Sequence, residues 1–148
     1  MFEVLLSVHV LAAILVVGPI AVAASLFPRY AKQLATEEGE MATRSAGVPA
    51  LLHRICRGYA VVGIAVPIFG IGAGAHLGAL GDFWLIASMI LTAAAAALLA
   101  VAILPAQRRA MTGSPVSKLA MTTGMFNLLW AVVVVLMIVR PGSTTGVR

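Results

Sequence analysis

The chain has 148 residues, of which 61% are hydrophobic and only 10% charged, with a mean hydropathy of +1.06 and a net charge of +5. A soluble domain is about half apolar and a quarter charged, and a small one has too much surface to hide more, so a water-soluble globular fold is excluded. The single cysteine, Cys56, rules out an intrachain disulfide and any zinc site built on several thiolates. Basic and aromatic residues do not interleave, so the positive charge points to membrane topology and anionic headgroups rather than to nucleic acid.

Four uncharged apolar runs follow one another, at about 4–27, 59–80, 83–104 and 119–139. Each is long enough to cross a hydrocarbon core of about 30 Å as an α-helix, and none alternates as a membrane strand would. The expectation is an all-α, four-transmembrane-helix bundle forming one membrane domain over 1–148. The first run lacks a basic leader and is too long for a typical signal sequence, so it reads as a retained span. Pro28, followed by Arg29 and Lys32, is expected to end it, and Pro105, before Arg108 and Arg109, to end the third. The exits Leu26-Phe27-Pro28-Arg29 and Ile103-Leu104-Pro105 echo each other faintly.

Lysine and arginine set the expected orientation. The connection 28–58 holds Arg29, Lys32, Arg44, Arg54 and Arg57, and the connection 105–118 holds Arg108, Arg109 and Lys118; the other side holds Arg140 and Arg148. The positive-inside rule then places both connections in the cytoplasm and both termini outside. Within the first connection, Glu37, Glu38 and Glu40 lie between its basic ends. The stretch 48–57 reads either as a short amphipathic helix at the interface or as a polar lead-in to the second span. Arg44, Arg54 and Arg57 are candidate contacts for anionic lipid, and Cys56 a free thiol or an acylation site. The tail 141–148 is expected to be disordered.

Lipid removes the hydrophobic drive between inserted helices, leaving close packing through small residues. Gly70, Gly74 and Gly78, at four-residue spacing, form such a row, serving contact inside the bundle or dimerisation with a second copy. The alanine run 93–97 offers another small surface. Pro67 should kink the second span and free the carbonyl of Gly63.

No charged residue falls inside the four runs, which removes the usual signature of a proton-coupled transporter. Serine and threonine are expected to bond back to their own helix. Asn127, one turn from Trp130, serves an interhelical hydrogen bond or a ligand pocket. His9 and His76 are expected near the same outer depth, flanked by small residues, either as candidate ligands for haem b on facing helices or as headgroup-level residues. His53 is expected at the cytoplasmic interface. No catalytic residue and no metal site of protein ligands stands out.

His9, Gly18 and the Pro28-Arg29 exit resemble small bacterial four-helix membrane proteins of the DUF2269 type, and more distantly the larger HemJ-like membrane proteins. The ending at 132–142, valine-rich and then basic and proline, is also similar to the HemJ ending. The HemJ resemblance implies haem binding through the early histidine, here His9. Gly81-Asp82-Phe83-Trp84 stands where HemJ carries a functional lysine, which removes the counterpart of that residue. The sequence therefore predicts an inner-membrane accessory or scaffolding protein without a catalytic centre of its own, partnered by lipid and by another membrane protein or a second copy. The alternatives are a b-type haem protein using His9, with or without His76, and a transporter or channel.

Overall fold

The computed structural model describes residues 1–37 and 39–143, apart from the side chains of Ala42 and Arg44. Helix α1 runs Phe2–Thr36, α2 Glu40–Ser45, α3 Gly47–Val62 and α4 Ala65–His76. They are followed by α5 Phe83–Ala97, a π-helical stretch Leu98–Ile103, α6 Leu104–Ala110 and α7 Ser117–Val139. No strand occurs among the described residues. Four helical stretches are long and apolar enough to cross a membrane: Phe2–Thr36, Gly47–His76, Phe83–Ala110 and Ser117–Val139. Large apolar side chains such as Ile14, Leu15, Ile68, Ile90 and Ile138 point outward and exposed, which suits lipid as the surrounding solvent. The tail's expected disorder falls largely on 144–148, outside the described residues, as do Glu38 and the Arg44 side chain.

Pro28 does not stop the first helix. A proline in a helix interior removes one backbone hydrogen bond and costs roughly 3 kcal/mol. Burial offsets it: Pro28 is buried, and Phe27 and Ala31 share one core with Leu52 and Cys56 of α3. With 35 residues α1 is about 50 Å long, so Arg29 and Lys32 ride on a helix extending past the apolar layer. The stretch 48–57 is neither a detached interfacial helix nor a polar lead-in. It is the first half of the second spanning helix, with Pro49, Leu52 and Cys56 buried and Leu51, Arg54 and Arg57 exposed. At the end of the third span the helix widens instead of stopping: the Leu104 N–H reaches the Leu99 carbonyl, five residues back, just before Pro105.

Pro67 interrupts the second span, and the break lies at Gly63 and Ile64, between α3 and α4. The Gly63 carbonyl is not left free, because the Val66 N–H donates to it at 3.1 Å. The span ends at His76, earlier than the apolar run suggests, in a Schellman turn. Gly78 takes a left-handed φ of 68°, its N–H donates to the Ala75 carbonyl at 3.1 Å, and the Ala79 N–H donates to the Gly74 carbonyl at 3.0 Å.

Packing places α1 against α3, α4 and α7, and α5 against α7, whereas α4 and α5 touch sparsely. The spans thus stand in the order second, first, fourth, third, with the open side between second and third. The main core gathers around Ile20, Ala24, Phe27, Cys56, Ile103 and Phe126, towards the end carrying the two long connections. A smaller cluster of Ala79, Trp84 and Leu85 closes the other end, where the termini and the tight α4–α5 hairpin lie. There the Trp84 indole N–H donates to Asp82 at 3.1 Å, and the Arg140 guanidinium lies 5.3 Å from the Trp84 ring centre.

Gly78→Ala should lower stability by about 1–2 kcal/mol, because a Cβ opposes the left-handed conformation. Gly81→Ala, at a site with open space and no left-handed φ, should be close to neutral. Thermal unfolding of the two variants in the same detergent checks this.

Candidate functional site

Helices α1 and α4 run antiparallel in close register. Leu5 lies beside Gly72, His9 beside Gly70 and Val66, and Val16 beside Gly63. Gly70 is there to admit a ring. A Cβ built on it would stand 2.7 Å from Cε1 and 3.0 Å from Nδ1 of His9. His9 is 7% exposed, and its Nδ1 lies 2.8 Å from the Val66 carbonyl oxygen. A carbonyl oxygen only accepts, so Nδ1 donates and carries the proton. In the neutral ring Nε2 then keeps its lone pair, as in histidines whose orientation is fixed through the other nitrogen.

His9 forms part of the wall of a cavity of about 800 Å³ on the open side of the bundle. All four spans contribute: Ala13 and Gly18 from α1, Pro67 and Gly70 from α4, Thr92 and Ala96 from α5, and Trp130 and Met137 from α7. The volume falls in the range of small-molecule sites, about 300–1,000 Å³, and the wall is almost wholly apolar with a few polar groups, as such sites are. Small residues create the space, since a glycine or alanine at 18, 93 and 96 leaves unfilled what a leucine would occupy. Trp130 keeps its indole N–H buried with no partner. That nitrogen is closed off from the open space as well, so Trp130 contributes ring surface rather than its N–H to the wall.

The two histidines singled out by sequence are not brought together. His76 is exposed at the end of α4, a full turn beyond Gly72, which itself faces Leu5. His9 therefore lies deeper along α1, and His76 is not in the cavity wall. A haem held by both imidazoles does not fit this arrangement. A haem held by His9 alone would find an imidazole of the right tautomer, yet no lysine or arginine among the lining residues for its carboxylates.

The glycine row divides into three uses. Gly70 faces His9, Gly74 meets Leu85 of α5 with a virtual Cβ contact of 2.7 Å, and Gly78 makes the turn. Asn127 makes the expected interhelical bond, donating to the Ser25 hydroxyl at 3.0 Å, while Trp130 serves the cavity. Ser88 and Thr122 bond back to their own helix as expected, but the Thr123 hydroxyl is buried without a partner. Cys56 is free and fully buried, so it presents no accessible sulfur for acylation. Sequence reasoning assigned nothing to Gln107. It is 0% exposed, accepts from His53 Nδ1 at 3.0 Å and donates to Cys56 Sγ at 3.5 Å, tying α3 to α6. An amide just past Pro105, beside a long apolar run, was the available signal. Arg54 and Arg57 are both exposed on α3.

Among the described residues no group of three or more histidine, cysteine or carboxylate side chains is placed to hold a metal ion. No protein-family model, no curated protein and no solved structure matches the chain.

Gly70→Ala should destabilise the wild-type protein by about 1–3 kcal/mol through overpacking on the imidazole. In a His9→Ala background the same change should cost well under half as much, because the obstructing ring is gone. Unfolding of the two single variants and the double variant closes this cycle.

Proposed function

We propose that this chain is a multi-pass inner-membrane accessory protein that binds a small lipophilic molecule between its second and third spans, with its two long connections in the cytoplasm. The observation that carries the reading is the apolar cavity of about 800 Å³, in whose wall the Trp130 ring lies and His9 is oriented by Val66. A ligand with an apolar body and one oxygen function suits it. A hydroxyl on such a ligand would donate to His9 Nε2, with the Trp130 ring supplying apolar contact. Holding such a molecule needs no acid, base or nucleophile, which agrees with the absence of charged side chains from the wall. Gly70 and Gly74 are occupied by His9 and Leu85, so the glycine row favours contact inside the bundle over dimerisation.

A second reading, haem b held by His9 alone, is favoured by the Nε2 lone pair that the Val66 bond leaves available. When bound, haem would supply electron-transfer or oxygen chemistry; the chain would supply the oriented imidazole and an apolar enclosure.

One preparation tests both readings. The protein purified in mild detergent should release a lipophilic compound on solvent extraction, in near-stoichiometric amount, and His9→Ala should reduce it at least fivefold. A Soret band lost in His9→Ala would select the haem reading. A colourless protein whose extract matches that of an unrelated membrane protein would defeat both.

A further inference from the structure

A second concavity, of about 440 Å³, lies at the connection end, where α3 meets α6. His53 and Arg57 line it from α3, and Arg108 and Arg109 from the last turn of α6; Leu104 and Pro105 give it an apolar side. No carboxylate lines it. The arginines come from separate parts of the sequence and meet because Gln107, fully buried, bonds His53 on one side and Cys56 on the other. Arg57, Arg108 and Arg109 bring three positive charges to its rim, and an anion seated there would be attracted by all three. Arginine presents paired N–H donors that match a phosphate oxygen edge, and Ala100, Leu104 and Pro105 put an apolar side at the seam where the second and third spans meet through α3 and α6.

We propose that His53, Arg57, Arg108 and Arg109 form a binding site for the phosphate group of an anionic phospholipid, its acyl chains lying along that seam. Basic pockets between spanning helices are suited to such headgroups. The site is separate from the central cavity and does not rest on what that cavity holds.

The test uses the full chain in detergent, stripped of lipid and titrated with phosphatidylglycerol or phosphatidylcholine, with bound lipid counted by native mass spectrometry. Phosphatidylglycerol should bind saturably and at least tenfold tighter than phosphatidylcholine. Arg57→Gln, Arg108→Gln and Arg109→Gln should each weaken it about fivefold. Arg54→Gln removes the same charge from α3 outside the concavity and should stay within twofold of wild type. Equal losses in all four arginine variants would overturn the proposal in favour of diffuse surface charge. Pocket variants that keep wild-type helicity and wild-type binding would overturn it outright. Inorganic phosphate that binds as tightly as the lipid would retain phosphate recognition and overturn the lipid as its source.

Discussion

An imidazole among apolar helices has no water to turn to, and His9 resolves this by donating from Nδ1 to the Val66 carbonyl at 2.8 Å. That contact requires Gly70, since any Cβ there would overlap the ring. The bond fixes the register of α1 against α4 and the tautomer of the ring at once. It also seats a broad, partly polar group in the wall of the cavity. With the second and third spans meeting at the hairpin end through Gly74 and Leu85, and at the connection end through Gln107, the space between them is held open at mid-height.

The close contacts of α4 and the cavity follow one division of labour. Small residues on α4 allow contact at Gly70 and Gly74, while small residues at 18, 93 and 96 withhold it. In lipid, helices gain little by associating except where atoms interlock. A bundle that leaves such a gap unfilled forgoes packing that larger side chains would supply. A ligand in the gap would restore that packing.

The four spans were legible because each is a continuous apolar run, and the weakness at Pro67 was legible from proline chemistry. The span ends were not. Charge at Arg29 and Lys32 suggested an exit from helix, but a helix longer than the bilayer is thick carries charges on its protruding turns. The equal depth expected for His9 and His76 came from counting inward from span ends, and those ends were misplaced: the second span stops at His76 itself, so that residue lies at the rim and His9 deeper. Chain order groups the basic residues by connection, as Arg44, Arg54 and Arg57. The fold regroups Arg57 with Arg108 and Arg109 through the α3–α6 contact, which no local pattern announces. Trp130 was visible as a pocket candidate beside Asn127; that its N–H lacks a partner depends on how α7 packs.

The central claim is that His9 donates through Nδ1 to Val66 and offers Nε2 to the cavity. Nitrogen NMR of histidine-labelled protein, with His9 assigned by its loss in His9→Ala, reads this directly. The account predicts a neutral ring protonated at Nδ1, whose Nε2 signal shifts when the bound molecule is extracted. A ring protonated at Nε2, or one whose Nε2 signal ignores extraction, would contradict it.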